Sequence, residues 1–244
     1  MTSKDQFSQV PLIKYLRQNS AYSRRMLLNK ILEGCVKVNQ IITLDSQVLV
    51  SQNDKIMLDN QIVHIEKHLY YKFNKPLNVI STFNDPNGRY DLQMYLKRFK
   101  LNPTLKPIGR LDRHSTGLLL FSNDGEFIQT ILHPKFSVPK EYEIMIDRPL
   151  NASDQTKMAA GFFLDDGPVK ITFKEIFSPT HFIVMITIGR NRILRRSFEY
   201  FNSKIIKLHR QSIGAIDLGT LKTGLFEPIP AKDAKKLVLN KRSW

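Results

Sequence analysis

One aspartate surrounded by cations is the position in this sequence best suited to chemistry. Asp112 lies in the run Gly109-Arg110-Leu111-Asp112-Arg113-His114, and an apolar stretch from Gly117 to Phe121 follows. In an extended segment Arg110 and Asp112 lie on the same face. Positive charge beside a carboxylate favours its ionised form, which a nucleophile or a general base needs. A structural ion pair would give the same pattern, so this segment alone leaves both interpretations open.

A second cationic feature is the pair Arg24 and Arg25. Both follow Ser23, a favourable N-cap, so they are expected in the first turn of a helix. Cations in that turn oppose the helix dipole, and an anion bound beside the free backbone N–H groups would compensate them. The pair alone fits a solvated surface equally well.

A third feature is an arginine-rich helix start. Leu194, Phe198 and Phe201 recur at i, i+4 and i+7, which predicts a helix with one apolar face. Four arginines occur within seven residues, and they repel one another unless anions compensate them: Arg190, Arg192, Arg195 and Arg196. RNA phosphate or a buried aspartate could provide that compensation, and a purely solvated face is the weaker interpretation.

The overall charge favours a polyanionic partner. The 244 residues include 37 Lys and Arg against 22 Asp and Glu, a formal net charge of +15. Cations placed on phosphates release condensed counterions, which favours nucleic-acid binding. No lysine-rich block borders an amphipathic helix and no apolar run approaches a membrane span, so a membrane partner is not expected. The single cysteine excludes a disulfide framework, and Met1–Gln9 lacks the apolar core of a signal peptide, so we expect a cytoplasmic protein.

The pattern of apolar residues predicts two domains and a linker. Residues 1–60 form a small unit with a helix at Pro11–Arg17, a helix from Ser23 to Gly34, and short strands at Val36–Val38, Val48–Val50 and Lys55–Leu58. Residues 61–68 are expected to be a linker. Residues 69–244 are the larger domain and end in a basic tail from Lys232, which we expect to be peripheral.

The larger domain alternates strand and helix signals irregularly. This order favours an α+β class with a mixed, mainly antiparallel sheet. Strands are predicted at Leu69–Phe73, Gly117–Phe121, Glu141–Ile146, Lys170–Glu175 and Phe182–Ile188. Helices are predicted at Leu92–Phe99, Glu126–Leu132, Ala152–Ala160 and Asn191–Phe201.

The first domain resembles the RNA-binding domain first seen in ribosomal protein S-four. The resemblance rests on Lys14-Tyr15-Leu16, Ser23-Arg24-Arg25 and Glu33-Gly34-Cys35-Val36-Lys37-Val38-Asn39. It implies two helices packed on a small sheet, with Arg24 and Arg25 facing structured RNA.

Nearly the whole chain, from about Pro11 to Pro230, resembles the RsuA-type branch of ribosomal RNA pseudouridine synthases. The most specific match is Gly109-Arg110-Leu111-Asp112, followed by Thr116-Gly117-Leu118-Leu119-Leu120 and by Asn123-Asp124-Gly125. Further matches are Phe73-Asn74-Lys75-Pro76 with Asp85-Pro86-Asn87-Gly88-Arg89, then Lys140-Glu141-Tyr142, and Gly189 to Arg196. Three positions depart from the usual pattern: Asn78 replaces a glycine, Ile193 replaces a glutamine, and Ser197 replaces a methionine.

The resemblance implies isomerisation of a uridine to pseudouridine in ribosomal RNA. Its implied catalytic residues are Asp112, Tyr142 beside the target base, and Arg195 as the cation that pairs with the aspartate. It further implies substrate contacts by Arg110, Leu194 and Lys75, and RNA contacts by Arg192 and Arg196. Because the reaction adds no atoms, no metal, redox cofactor or nucleotide cofactor is expected. We also expect the protein to be a monomer. The alternative is a non-catalytic RNA-binding or ribosome-assembly protein on the same scaffold.

Overall fold

The computed structural model describes residues 9–51, 53–83 and 85–239, which divide into two compact units. The first contains the chain up to His68 together with Asn102–Lys106, and the second contains Leu69–Leu101 and the chain from Pro107 onward. The start of the polar N-terminal segment (1–8) and the end of the basic tail (240–244) lie outside the described residues. None of the helices in the described ranges combines the length and apolar character needed to span a bilayer.

The first unit has two helices and two small antiparallel sheets. Its helices are α1 (Leu12–Asn19) and α2 (Arg24–Leu32), and its strands are β1 (Val10–Pro11), β2 (Val36–Val38), β3 (Ile41–Ile42), β4 (Leu49–Val50), β5 (Ile56–Leu58) and β6 (Gln61–Ile62). One sheet has the order β3-β2-β5-β6, and β1 pairs with β4. Ser23 caps α2, as predicted, because its side chain accepts a hydrogen bond from the Met26 amide. The core consists of buried aliphatic side chains, including Leu12, Leu16, Leu27, Ile31 and Val36.

The segment 61–68, expected to be a linker, begins with β6 and belongs to the first unit. The reason is the turn between β5 and β6, where Asp59 and Asn60 have φ angles of 52° and 61°. Two successive positive φ angles form the tight turn that returns a strand directly onto its neighbour. The prediction of a linker at this segment was therefore wrong at Gln61–Ile62.

The second unit is built around one large sheet. Its strands are β7 (Tyr70–Lys75), β8 (Lys106–Ile108), β9 (Thr116–Ser122), β10 (Lys140–Ile146), β11 (Phe162–Leu164), β12 (Gly167–Val169), β13 (Thr172–Ser178), β14 (His181–Ile186), β15 (Ile205–Ile213), β16 (Ile216–Asp217) and β17 (Phe226–Pro228). Its helices are α3 (Leu92–Arg98), α4 (Gly125–Leu132), α5 (Ala152–Ala160), α6 (Ile193–Tyr200) and α7 (Ala231–Leu239), with a 3-10 turn at Pro134–Phe136.

The main sheet follows the order β13-β14-β10-β15-β9-β7-β17, with β16 on β15 and β8 on β9. Along the seven-strand path only the pair β9 and β15 is parallel. The predicted α+β class with a mixed, mainly antiparallel sheet is therefore confirmed. The tail is not wholly peripheral, because Ala234 of α7 is fully buried in the core that α4 also covers.

Candidate active site

The second unit contains a cleft of about 580 Å³ at the ends of β10 and β15. The cleft is lined by the loop before β9, the turn after α4, strands β10 and β15, and the stretch from Ile186 to Arg195, together with Pro168. The cleft brings together most of the site residues expected from the sequence, namely Arg110, Asp112, Tyr142, Arg192, Leu194 and Arg195. Lys75 and Arg196 do not line it.

The loop that carries Asp112 is fixed through its backbone. The Ser81 hydroxyl donates a 2.6 Å hydrogen bond to the Leu111 carbonyl and accepts one from the Leu111 amide at 3.1 Å. The Asn78 amide donates to the Arg113 carbonyl at 2.8 Å. Asn78 has a φ angle of 65°, a left-handed conformation that asparagine tolerates better than most residues. This conformation explains how asparagine can stand at a position where the usual pattern has glycine.

Arg195 holds the same loop from the side of α6. Its Nη2 donates to the His114 carbonyl at 2.7 Å, and its Nη1 donates to the Ile205 carbonyl at 2.9 Å. Burial lowers the pKa of Arg195, with a smaller lowering from Arg192 and an opposing contribution from Asp112. The expected direct ion pair with Asp112 is absent among the described residues. Arg195 therefore positions the loop through the His114 carbonyl and acts on the carboxylate only through space.

Lys75 supports the loop from the side of β7. Its side chain is fully buried, and its Nζ donates to the carbonyls of Ser115 at 2.8 Å and Pro76 at 2.9 Å. Burial lowers the pKa of Lys75 to about 8, and Arg210 lowers it further while Asp112 opposes the shift. The predicted contact of Lys75 with substrate is not supported by this geometry, because the ammonium group lies beneath the loop.

Tyr142 lies on β10 with only 7% of its surface exposed. Ile144 and Ile146 are buried on the same face of the strand. The Tyr142 hydroxyl accepts a hydrogen bond from Nη1 of Arg210 at 3.3 Å, and the Arg210 guanidinium carbon lies 5.8 Å from the ring centre. Tyr142 therefore faces the cleft from a rigid strand and has a cation at its hydroxyl end.

The sequence did not single out Arg210 or Lys140 as site residues. Arg210 is 4% exposed, and burial lowers the pKa of Lys140 to about 8, with Arg210 adding to that shift. Both line the cleft. The signal that could have found Arg210 is a charged residue at an inward position of a strand. No strand was predicted at 205–213, so that signal was missed.

Gly117 allows β9 and β15 to approach closely enough to place Arg210 beside the cleft. It pairs with Arg210 in the parallel register and has a φ angle of 101°. A Cβ atom at this position would lie 2.3 Å from the Arg210 carbonyl oxygen and 2.7 Å from its amide nitrogen. Because both atoms belong to the backbone, the approach requires glycine here.

The arginines between positions 190 and 196 differ in their contacts. Arg192 is exposed, has a φ angle of 45°, and lines the cleft at the start of α6. Arg196 instead donates two hydrogen bonds to the Asp166 carboxylate, at 2.8 Å and 2.5 Å. Arg190 also binds Asp166, at 2.9 Å from Nη1. The expectation that Arg196 contacts RNA is therefore not supported in this structure, because its guanidinium group is already hydrogen-bonded to the Asp166 carboxylate.

Arg24 and Arg25 lie in the first unit, in the first turn of α2. Both side chains are exposed, and neither has an ion-pair partner among the residues that the structure describes. The two arginines are therefore available to an external anion. In the described ranges no three metal-ligating His, Cys, Asp or Glu side chains are grouped together.

Comparison with known proteins gives a consistent result. The family model described as RNA pseudouridylate synthase matches residues 69–200, more than half of the chain. The "Ribosomal large subunit pseudouridine synthase B" of Bacillus subtilis is 32% identical over 93% of this chain and 94% of its own length. The "Ribosomal small subunit pseudouridine synthase A" of Haemophilus influenzae is 29% identical over 93% of this chain and 99% of its own length.

A solved structure described as a pseudouridylate synthase has the same fold. It superposes with a TM-score of 0.68 at 26% identity, covering 93% of this chain and 99% of that protein. The family model, the identity above 30% and the coverage agree with the resemblance carried by the Asp112 segment. The chain belongs to the RNA pseudouridylate synthase family, in its RsuA-like and RluB-like branch.

Proposed function

We propose that this protein isomerises a uridine of ribosomal RNA to pseudouridine, with Asp112 as the catalytic carboxylate. The observation that carries the proposal is the meeting of Asp112, Tyr142 and Arg195 at one cleft, with the backbone of the Asp112 loop fixed on several sides. Relatives named as large-subunit and small-subunit ribosomal pseudouridine synthases support ribosomal RNA as the substrate class.

The reaction breaks the bond between C1′ of the ribose and N1 of uracil, turns the base, and rejoins it through C5. Asp112 acts at the ribose, as a nucleophile at C1′ or as a base toward the C2′ proton. The cleft volume of about 580 Å³ lies within the range of small-molecule sites, roughly 300 to 1,000 Å³. It can therefore hold one nucleotide extruded from its stack, as enzymes that modify bases require.

The other cleft residues have supporting roles in this proposal. Tyr142 provides an aromatic face for the uracil, and Leu194, 4% exposed, forms part of the apolar wall. Arg110 and Arg192 are exposed at the cleft and contact the phosphates beside the target nucleotide. Arg195 and Lys75 position the Asp112 loop without contacting the substrate.

The first unit is proposed to dock structured RNA, in the manner of the S-four domain that its sequence resembles. Arg24 and Arg25 are exposed in the first turn of α2, where the free backbone N–H groups also favour a phosphate. We further propose the monomer as the active species.

Mapping of pseudouridines in total RNA tests the proposal. Cells with and without the gene are compared, and the deletion strain is complemented with the wild-type protein. We expect at least one ribosomal RNA pseudouridine to disappear on deletion and to return on complementation. Identical maps in all three strains would contradict the enzymatic function and favour the non-catalytic alternative.

A further inference from the structure

Arg210 is a buried cation at the cleft with one unused donor. Its Nε donates to the Leu118 carbonyl at 2.7 Å, and its Nη1 donates to the Tyr142 hydroxyl at 3.3 Å. Its Nη2 is buried and has no hydrogen-bond partner among the described residues. A buried guanidinium nitrogen without an acceptor is unfavourable, because the group has lost water without replacement. Such an orphan donor at a cleft indicates an acceptor that arrives with the ligand.

The charge of the cleft points to the same kind of ligand. Among the described residues that line it, Asp112 is the one acid, and the six cationic side chains are Arg110, Lys140, Arg190, Arg192, Arg195 and Arg210. Partly buried cations that outnumber acids are electrostatically complementary to negative charge on a ligand. Burial is the main cause of the lowered pKa of Lys140, and the positive charge of Arg210 adds to it.

The other cations of the cleft are already engaged or lie in solvent. Both terminal nitrogens of Arg195 bind backbone carbonyls, although its Nε also lacks an acceptor. The Lys140 ammonium donates to the Val138 carbonyl at 3.0 Å, and Arg190 binds Asp166. Arg110 and Arg192 are exposed. Arg210 is therefore the buried cation with a free terminal nitrogen next to Tyr142, which we assign to the base.

The isomerisation itself creates a negative charge at this place. When the C1′–N1 bond breaks, its electron pair leaves with the uracil, and the charge is shared by N1, O2 and O4. In one route an oxygen of Asp112 bonds to C1′ and forms an ester. In the other, the carboxylate removes the C2′ proton, and a double bond forms between C1′ and C2′. After the base has turned, C5 bonds to C1′, displacing the ester or adding to the double bond with return of the C2′ proton. C5 then loses its proton, and N1 gains one, so that no atom is gained or lost overall.

We propose that Arg210 is a further catalytic residue, whose Nη2 donates a hydrogen bond to a carbonyl oxygen of the uracil and stabilises the anion formed on C1′–N1 cleavage. This inference rests on the proposed function. Gly117 contributes indirectly, because it permits the strand approach that places Arg210 at the cleft.

The test compares uridine with 5-fluorouridine as the reacting nucleotide. Full-length ribosomal RNAs transcribed with UTP or with 5-fluoro-UTP serve as probes, and single-turnover rate constants are measured at saturating enzyme. The carbon-linked nucleosides are quantified by mass spectrometry after digestion. The variants are Arg210→Gln and Arg210→Lys. Lys207→Gln is the matched control, because Lys207 lies on the same strand but is exposed and bound to Glu143.

We expect Arg210→Gln to lower the rate constant on uridine RNA by roughly 10² to 10³, the range for loss of one preorganised donor. The loss should be smaller on 5-fluorouridine RNA, because fluorine itself stabilises the uracil anion. Arg210→Lys should retain part of the rate, and Lys207→Gln should match the wild type. The ratio of the rate constants on the two RNAs is independent of the fraction of folded enzyme. A partly misfolded variant therefore still gives an answer.

Equal losses of Arg210→Gln on both RNAs would overturn the assignment and leave Arg210 with a structural role. A wild-type rate constant on uridine RNA would overturn it as well. If Arg210→Gln does not fold, Arg210→Lys decides by the same comparison of the two RNAs. Inactivity of the wild-type protein on every ribosomal RNA would contradict the proposed function instead, so the two failures are distinguishable.

Discussion

The cations at the start of α2 and the cations around Asp112 are chemically alike but differ in what surrounds them. Arg24 and Arg25 are exposed and have no ion-pair partner among the described residues. Lys75 and Arg195 are buried, and they donate to backbone carbonyls of the loop that carries Asp112. Exposed cations exchange water for phosphate at little cost, whereas buried ones are fixed in place. The first group is suited to binding RNA, and the second to holding a catalytic loop.

Within the comparison of these two groups of cations, the largest effect is expected for Lys75→Met, which keeps the volume of the side chain and removes its charge. The Ser115 carbonyl loses its donor, so the Asp112 loop should shift and lower the single-turnover rate by about 10²-fold, the cost of a misplacement near 1 Å. Binding of ribosomal RNA should change little, because the ammonium group is fully buried. Single-turnover kinetics together with RNA titration measure both effects.

The same variant should change how stability depends on pH. Because the pKa of Lys75 falls to about 8 in the folded protein, the unfolded chain binds more protons between pH 8 and 10.5. As the pH rises through that interval, the free energy of unfolding of the wild type should therefore increase relative to that of Lys75→Met, by up to about 1.4 kcal/mol per pH unit. Urea unfolding at several pH values measures this difference. For the single-turnover rate, the matched control is Lys72→Met, because Lys72 lies on the same strand but is paired with Glu227. Parallel pH profiles for Lys75→Met and wild type would contradict the account.

A smaller effect is expected for the double variant Arg24→Ala/Arg25→Ala. If each arginine contacts one phosphate, the slope of log affinity against log salt should decrease by about 1.4 to 1.8, with 0.7 to 0.9 per contact. The rate at saturating RNA should stay near that of the wild type. Affinity across a salt series gives the slope. An unchanged slope would mean that the pair is only a solvated surface, and a collapsed saturated rate would place this unit at the active site.

The smallest effect is expected at Asp166, whose carboxylate occupies Arg196 and Arg190. Asp166→Asn should free the guanidinium group of Arg196, while Arg190 still donates to the backbone carbonyls of Asp166 and Pro168. The affinity for ribosomal RNA should rise, with a salt slope steeper by about 0.7 to 0.9 for the one new contact. Asp165→Asn is a matched control, because Asp165 is the exposed neighbour in the same turn and has no ion-pair partner among the described residues. Equal gains for both variants would indicate a general charge effect.

The sequence predicted the elements that carry Asp112 and Tyr142 because their patterns are strong. The apolar run of β9 is buried on both faces, and the alternation of β10 buries one face. Both strands lie within two residues of the predicted bounds. The strand β15 was missed because Lys207, His209 and Arg210 interrupt its apolar pattern, and β10 and β15 shift register where they pair. The turn at Asp59 and Asn60 was missed because it produces a strand of only two residues.

The predicted roles of the arginines had a different outcome. Leu194 and Arg195 lie at the cleft because the apolar periodicity fixes the orientation of α6. The partner of Arg196 could not be predicted, since Asp166 lies thirty residues earlier, on a hairpin that has no alternation of its own. Likewise, the carbonyl partners of Arg195 depend on tertiary packing. Charge in a sequence indicates that a partner is needed but does not identify which one.

The most direct test of the central claim is tritium release by Asp112→Asn from ribosomal RNA labelled at C5 of uracil. The substitution is close to isosteric and keeps the loop carbonyls that bind Arg195 and Lys75, but it removes the charge needed at the ribose. The account predicts wild-type stability and RNA affinity with no detectable tritium release, while the wild-type protein releases label. Release by Asp112→Asn at a rate near that of the wild type would contradict the assignment of Asp112 as the catalytic carboxylate.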